Sequence, residues 1–403
     1  MGPQTTKNRS IAGSEYQHYN GIAPEKTTGV HPPDRPTIAE KESDCMNRND
    51  TFLRRLGCTG MILTVLWILS AGQSLSDDRP LESRHLENIR QITDQFTKAG
   101  EGYFSPDGKR IVFQAVPMEY PFYQIYTQSL DPLGKPQLVS TGRGRTTCSY
   151  FHPDGRTILF ASSHLDPQLD ATESEERRQL DEEKKSGKRR RYSWAFDPEM
   201  DIFESREGDL VPLTHSAGYD AECAYSPDGK QIVFCSDRDG DPDLYIMDRD
   251  GSNVRQLTNA PGYDGGPFFS PDGRWIVYRT DRKKPDHLQI HVIRADGKED
   301  VALTDNIGVN WAPYWHPSEP YIIWCGADHS DPKARPNYDL WLMKFAVKDG
   351  KFTGGPQTRI TDHPSADVLP VFSPDGKRLM WTSKRGKGKS SQLWMADFML
   401  PAD

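Results

Sequence analysis

The sequence predicts an all-β fold, a six-bladed β-propeller made of four-stranded antiparallel blades. Three observations lead to this prediction: one turn motif recurs along the chain, apolar strands follow each copy, and a single strand is left over near the N-terminus. Hydrophobic residues make up only 35% of the 403 residues, and the chain carries 33 Gly and 31 Pro. Such a composition suits many short strands joined by tight turns.

The recurring motif is an aromatic residue, Ser or His, then Pro-Asp-Gly, a basic residue and an apolar run. Its six copies are Phe104–Phe113, Phe151–Phe160, Tyr225–Phe234, Phe269–Tyr278, the decayed Trp315–Trp324, and Phe372–Trp381. Most copies lie 44 to 57 residues apart, with one gap of 74. Pro-Asp-Gly predicts a tight turn, because Pro fixes φ, Asp bonds its own backbone and Gly takes the left-handed conformation.

Further strands follow each turn in a fixed order. In the third copy they are Gln231–Cys235, Asp243–Asp248 and Val254–Thr258, the last ending in Leu-Thr. Together with the strand that leads into the turn, each repeat has four antiparallel strands. Repeats of this length with four strands are typical of propeller blades.

The last repeat is one strand short. After Lys377–Ser383 and Gln392–Phe398 no Leu-Thr strand follows, but a segment of that type, Asn88–Thr93, stands before the first copy. We therefore predict that the N-terminal strand completes the last blade and closes the ring, which removes an exposed sheet edge. The predicted propeller spans residues 87–398.

The segment 46–72 is predicted to be a secretory signal peptide. Arg54 and Arg55 precede the apolar run Met61–Leu69, and small residues follow it. The run is shorter than the ~20 residues that span a bilayer, so no membrane span is expected in the mature chain, although a retained anchor is the rival interpretation. The signal predicts a periplasmic or secreted protein. Because Met46 begins a normal signal, residues 1–45 are predicted to be untranslated or disordered.

The gap of 74 residues holds a charged insertion at about 165–199 in blade two. Its core, Glu173–Lys185, consists of strong helix formers with charges of both signs, which predicts a solvated helix. A basic run, Lys188–Arg191, and an aromatic group, Tyr192–Phe196, follow. The insertion either packs over the propeller mouth or a partner, or presents an ordinary solvated face.

The repeat resembles the TolB-type propeller repeat, whose consensus is similar to Tyr225–Gly240 followed by Leu244–Asp248. The resemblance covers residues 87–398 and implies an architecture rather than an activity. TolB is a periplasmic partner of envelope proteins and has an α/β domain ahead of its propeller, which we do not find in this sequence. Related propellers occur in prolyl-oligopeptidase-like peptidases, whose Gly-x-Ser-x-Gly elbow this sequence lacks, and in oligogalacturonate lyases, where histidines and a metal act in the central cleft.

The loops that lead into the six motifs should converge at one mouth of the channel. Counting back six residues from each motif's Ser or His gives equivalent positions, four of which are acidic or amide. With nearby residues, the predicted binding site comprises Asp220, Asp264, Asn310, Asp367, Tyr219, Tyr263, Glu222 and Trp311. Such a ring suits a cation, an amine or a sugar. The alternative is that each Asp or Asn bonds its own loop backbone.

A calcium site is a further candidate, in the stretch of alternating carboxylates Asp237, Asp239, Asp241 and Asp243. The distal Glu of an EF-hand is absent, and the same stretch matches the ordinary turn of the repeat. No other cofactor is expected. Among the cysteines after the signal, Cys223 and Cys235 fall on neighbouring strands and either form a bridge or stay as small buried thiols.

The formal net charge of -8 argues against a nucleic-acid partner. The histidines are scattered, His152 and His316 replace the motif Ser as expected turn caps, and no catalytic triad or HExxH pattern is legible. The sequence thus favours a monomeric, exported binding module for an envelope protein or glycan. The alternative is a carbohydrate-active enzyme, a polyuronide lyase or hydrolase, with its site at the channel mouth.

Overall fold

The computed structural model describes residues 79–188, 196–331, 333–334 and 336–401. These residues form six four-stranded antiparallel sheets and one α-helix, which confirms the predicted all-β six-bladed propeller. The predicted signal peptide and the segment 189–195 of the insertion lie outside the described residues. Within the described part of the chain, no helix is both long and apolar enough to cross a membrane.

The strands follow one another blade by blade along the chain. Blade one contains β2 (Lys98–Phe104), β3 (Arg110–Val116), β4 (Gln124–Ser129) and β5 (Gln137–Leu138). Blade two contains β6 (Thr146–Phe151), β7 (Ile158–Ser162), β8 (Asp201–Arg206) and β9 (Asp209–Pro212). Blade three contains β10 (Asp220–Tyr225), β11 (Gln231–Ser236), β12 (Asp243–Asp248) and β13 (Arg255–Gln256).

The other three blades repeat this order. Blade four contains β14 (Asp264–Phe269), β15 (Trp275–Thr280), β16 (Gln289–Arg294) and β17 (Asp300–Ala302). Blade five contains β18 (Val309–Trp315), β19 (Tyr321–Ala327), β20 (Asp339–Lys348) and β21 (Lys351–Arg359). Blade six contains β22 (Asp367–Phe372), β23 (Arg378–Ser383), β24 (Gln392–Phe398) and, as its outermost strand, β1 (Leu86–Gln91).

The outermost strand of blade six comes from the opposite end of the described chain. β1 pairs antiparallel with β24, with Leu86 opposite Phe398 and Gln91 opposite Trp394. The backbone N–H of Ile92 continues this pairing by donating to the carbonyl oxygen of Leu393 at 2.8 Å. Blade six therefore has the same four-stranded order as the other blades.

The Pro-Asp-Gly turns owe their recurrence to a small hydrogen-bond network. In the turn between β2 and β3, the Ser105 hydroxyl donates to Asp107 at 2.6 Å and accepts the Arg110 backbone N–H at 2.9 Å. Asp107 also accepts the backbone N–H of Lys109 at 3.0 Å, and Gly108 has φ +67°. The same contacts recur at Ser226, Ser270 and Ser373, so the motif's residue types are those that the turn requires.

Turns of neighbouring blades also contact one another on this face. The Arg378 guanidinium donates to the Gly108 carbonyl oxygen at 2.8 Å, and His152 Nε2 lies 3.2 Å from the Gly229 carbonyl oxygen. His152 Nδ1 accepts the Asp154 backbone N–H, and His316 Nδ1 accepts that of Glu319, each at 3.0 Å. Both histidines are therefore turn caps, as predicted.

The core lies between successive sheets. Most of its largest fully buried side chains come from the second strands of the blades and include Phe113, Phe160, Phe234, Trp324 and Trp381. Burial of such aromatic side chains removes 150–250 Å² each from water, which is the main driving force for packing blade against blade.

The insertion of blade two contains the helix α1 (Leu169–Ser186), between β7 and β8. It lies on the face where the innermost strands begin, opposite to the Pro-Asp-Gly turns, because strands alternate in direction within a blade. Only Leu169 is buried, but the first turns are fixed to blade one and its connection to blade two. Glu173 accepts the Tyr120 hydroxyl at 2.6 Å and pairs with Arg143 at 3.1 Å.

Candidate ligand site in the central channel

The innermost strand of every blade carries a β-bulge at the same position. There the pairing register with the second strand shifts and one residue adopts a left-handed backbone, with φ between 47° and 61°. We call these six residues the bulge ring; they are Glu101, Cys148, Glu222, Gly266, Ala312 and Leu369. A left-handed conformation is costly for residues other than Gly, and strain at recurrent positions is common at functional sites.

Two residues further along, aromatic side chains meet across the axis and form what we call the aromatic plug, Tyr103, Tyr150, Phe268 and Tyr314. The rings of Tyr103 and Phe268, from the opposite blades one and four, are 5.4 Å apart. The hydroxyls of Tyr150 and Tyr314 lie 3.0 Å apart. The plug therefore closes the channel below the bulge ring.

Above the plug, Glu222 is the centre of a buried polar cluster. Its two carboxylate oxygens accept the Tyr219 hydroxyl at 3.2 Å, the Tyr263 hydroxyl at 2.6 Å and the Arg279 guanidinium at 2.9 Å. The residue is 4% exposed. A buried carboxylate is tolerated when it is paired and hydrogen-bonded in this way.

Arg279 comes from β15, the second strand of blade four, and takes the space that a side chain at Gly266 would occupy. A Cβ atom built on Gly266 would lie 2.3 Å from Arg279 Nη1. The guanidinium carbon also lies 5.5 Å from the Tyr263 ring centre and 5.9 Å from that of Trp311. Glycine at the bulge of blade four thus allows the arginine of that blade to reach the channel.

Glu101 is the second carboxylate of the channel and is half-buried. It accepts Gln114 Nε2 at 2.7 Å and the Tyr103 hydroxyl at 3.4 Å. Burial raises the pKa of Glu101 to about 7, and the nearby charge of Arg279 lowers it only in part. Burial also keeps the neighbouring Cys148 thiol neutral by raising its pKa well above the ordinary value.

The structure places three of the four predicted ring positions in buried ion pairs within their own blades. Asp220 pairs with Arg238 at 2.8 Å, Asp264 pairs with Arg282 at 2.7 Å, and Asp367 pairs with Arg385. Each carboxylate begins an innermost strand, and each arginine follows the second strand by two residues. Burial raises the pKa of Asp264 and Asp367, and the paired arginines oppose this shift.

The fourth ring position, Asn310, has an amide network instead of an arginine. Its side-chain oxygen accepts the Trp324 indole N–H at 3.0 Å, and its amide nitrogen donates to Gln289 at 3.2 Å. All four side chains are at most 5% exposed. The structure thus gives each of them a role in its own blade, while ligand binding by these four residues stays a prediction.

The other predicted residues, Tyr219, Tyr263, Glu222 and Trp311, do come together around Arg279. The sequence reasoning missed Glu101, Cys148 and Arg279. Glu101 and Cys148 lie two residues after the aligned ring positions, where a bulge shifts the register by one residue. Glycines flank the bulge in blade one and glycine and proline mark it in blade four, but the bulge of blade two has no such marker in the sequence.

The end of the insertion packs at the same mouth. The Phe196 ring lies 5.0 Å from the Tyr219 ring in an edge-to-face arrangement and 5.9 Å from the Tyr263 ring. Phe196 thus joins Met200 and Ala221 in a small apolar cluster. One of the two interpretations of the insertion, packing over the propeller mouth, therefore holds for this residue.

The calcium candidate is only partly assembled. Oxygen atoms of Asp239, Asp241 and Asp243 lie within 4.8 Å of one another, and this is the one such carboxylate, histidine or cysteine trio found among the described residues. Asp237 instead accepts the Tyr219 backbone N–H at 2.6 Å. Burial, together with Asp264 and the other two carboxylates, raises the pKa of Asp243 to about 7.

The four cysteines of the described residues are free thiols, so the possible Cys223–Cys235 bridge is wrong and the buried-thiol interpretation is correct for this pair. Cys235 faces Ala221 and Cys223 lies toward blade two, with its thiol 3.7 Å from the Cys148 carbonyl oxygen. Neighbouring strands therefore direct the two thiols apart.

The fold and the channel define a six-bladed propeller with a plugged, charged and aromatic central channel. Its structure is similar to a TolB-like protein from Agrobacterium tumefaciens, at 21% identity and a TM-score of 0.49, over 77% of this chain and 97% of the other. It is also similar to TolB from Acinetobacter baumannii, at 17% identity and a TM-score of 0.46, over 77% and 66% of the two chains.

An oligogalacturonate lyase from Vibrio parahaemolyticus is similar as well, at 14% identity and a TM-score of 0.46, over 74% of this chain and 76% of the other. No protein-family model matches the chain, and no curated protein matches it.

Proposed function

We propose that this protein is an exported binding module whose central channel mouth recognises a protein or glycan of the cell envelope. The observation that supports it best is the convergence of Glu101, Glu222, Arg279 and Trp311, from four different blades, above a closed aromatic plug. Ligand sites in proteins are commonly lined by aromatic and apolar side chains with a few convergent polar or charged groups.

Photo-crosslinking tests this proposal directly. A photoreactive amino acid in place of Trp311 reports on the mouth, and the same residue in place of the exposed Lys230 reports on the opposite face. The full chain is irradiated with isolated envelope proteins and, separately, with envelope glycans. We expect one defined adduct from position 311 and none from position 230. Equal adducts from both positions, or none from position 311, would contradict the proposal.

Export is part of the proposal and has its own test. The apolar run Met61–Leu69 behind Arg54 and Arg55 is the feature that supports it. Fractionation of cells that express the full-length chain should place the protein outside the cytoplasm, and N-terminal sequencing should show a start close to residue 73. A cytoplasmic protein that keeps this run would contradict export.

A carbohydrate-active enzyme is the second candidate, and one observation favours it. Two carboxylates, Glu101 and Glu222, share the channel, and burial raises the pKa of Glu101 to about 7, where a carboxyl can exchange a proton at neutral pH. The test is the turnover of polygalacturonate by the purified chain. Turnover that Glu101→Gln abolishes would replace the binding proposal with this one.

A further inference from the structure

The bulge ring divides the channel wall into two unlike halves. Blades one to three contribute Glu101, Cys148 and Glu222, which are acidic or polarisable. Blades four to six contribute no charge at this level except Arg279, and their bulge residues are Gly266, Ala312 and Leu369. Trp311 stands beside this apolar half. A ligand in the channel therefore meets two carboxylates on one side and, on the other, an apolar wall whose one charge, Arg279, is paired with Glu222.

The charges of the channel do not balance. The Glu222 carboxylate accepts hydrogen bonds from three donors, and its ion pair with Arg279 balances the charges of the two side chains. Glu101 has only neutral donors, the Gln114 amide, the Tyr103 hydroxyl and the Cys148 thiol. Within the described chain no lysine or arginine forms an ion pair with it, since the nearby Arg279 pairs with Glu222. The side-chain oxygen of Gln114 is itself buried without a hydrogen-bond donor in the described structure. This part of the channel lacks a cationic donor.

From this imbalance we infer that the channel binds a primary alkylammonium group, with the ammonium against Glu101 and its methylene chain along Ala312, Leu369 and Trp311. The inference rests on the proposed binding function and names the chemistry that the channel recognises.

The shape of the site favours this class of ligand over others. An ammonium has three N–H donors and no acceptor, which suits a wall that offers a carboxylate and an amide oxygen. Its slim methylene chain suits a channel that the aromatic plug closes below. An anion would face both Glu101 and Glu222. The same chemistry has two sources, a lysine side chain of a partner protein or a free polyamine.

The affinity of the channel for an alkylammonium ligand should depend on pH, and the groups around Glu101 determine the direction. The groups around Glu101 that carry or develop charge are Glu222, Arg279, Cys148, Cys223, Tyr103 and Tyr123. Burial raises the pKa of Glu101 to about 7 and keeps both thiols and both phenols neutral by raising their pKa values. A proton therefore competes with the ammonium, and the affinity should fall about tenfold for each pH unit below 7.

Calorimetry on the full chain tests the inference at pH 8 and pH 6. The probes are Nα-acetyl-lysine methylamide, putrescine, and the uncharged control Nα-acetyl-norleucine methylamide. The variant Glu101→Gln removes the charge and keeps a hydrogen-bonding side chain, and Glu87→Gln on the exposed outer strand is the matched control. We expect binding of an amine probe and not of norleucine, a loss of at least tenfold in Glu101→Gln, and no change in Glu87→Gln.

The possible outcomes separate clearly. Binding of the lysine probe indicates a partner protein as the source, and binding of putrescine alone indicates a free polyamine. Equal binding of norleucine, unchanged affinity in Glu101→Gln, or an affinity that does not fall at pH 6 in the wild-type chain would each overturn the inference. The pH test needs no variant. If crosslinks at position 311 persist while the amines do not bind, the inference fails and the proposed function stands.

Discussion

The buried ion pair between Arg385 and Asp367 should be essential for blade six. The Arg385 side chain is 6% exposed and that of Asp367 is fully buried, and the guanidinium also pairs with Glu82 at 2.7 Å. Arg385→Met keeps most of the volume and the packing on Trp381, but it leaves a buried carboxylate with only neutral donors, the Trp381 indole N–H at 3.0 Å and the Ser383 hydroxyl. Removing one partner of such a pair costs about 3–5 kcal/mol of unfolding free energy.

Urea denaturation followed by fluorescence measures this loss. Arg274→Met is the matched control, because Arg274 makes a similar pair with Asp272 but the two side chains are 73% and 45% exposed. An exposed pair contributes about 0–1 kcal/mol. Adding Asp367→Asn to Arg385→Met should recover most of the loss, because the unpaired charge is removed. Similar losses of unfolding free energy in Arg385→Met and Arg274→Met would refute the reasoning that burial makes the Arg385–Asp367 pair important for stability.

Three further predictions concern other sites. Burial raises the pKa of Asp243 to about 7, so between about pH 4 and 7 the native state binds more protons than the unfolded state and should lose stability as the pH rises. Thermal melts at pH 5 and pH 8 should show this loss in the wild type and a smaller one in Asp243→Asn. Calcium bound by Asp239, Asp241 and Asp243 should raise the melting temperature of the wild type, and Asp241→Asn should abolish this rise. Equal melting temperatures of the wild type with calcium and with a chelator would exclude the site. Gly266→Ala should cost at least 1–2 kcal/mol, because φ is +61° and the new Cβ meets Arg279, as urea denaturation can measure; a neutral effect would show that Arg279 moves freely.

The architecture was predictable because its determinants are local. Ser105, Asp107 and Gly108 encode one turn through contacts among themselves, so the pattern recurs wherever the turn recurs. The strand count then followed from chain order alone. Such determinants need no knowledge of the distant chain.

The channel was harder to predict because its determinants are not local. Aligning the loops by residue count led to Asp220, Asp264 and Asp367, which the blades use for their own arginines. The residues that face the axis lie at a bulge that changes which side chains point inward. Arg279 could be found only once Gly266 was known to leave it room, since the two lie on different strands.

This arrangement separates stability from recognition within a few residues of one strand. The position of Asp220 at the start of β10 fixes the blade through Arg238, while Glu222, two residues later, faces the channel and blade four. Because these residues stand at the bulge and not at the start of the strand, the ring of Glu101, Cys148, Glu222, Gly266, Ala312 and Leu369 can vary in sequence without altering the Asp–Arg ion pairs. The six bulge positions hold five different residue types although the fold repeats. In such a propeller the blades keep similar residue types where they pack to close the ring. Their side chains can differ at the axis, where a ligand would be recognised.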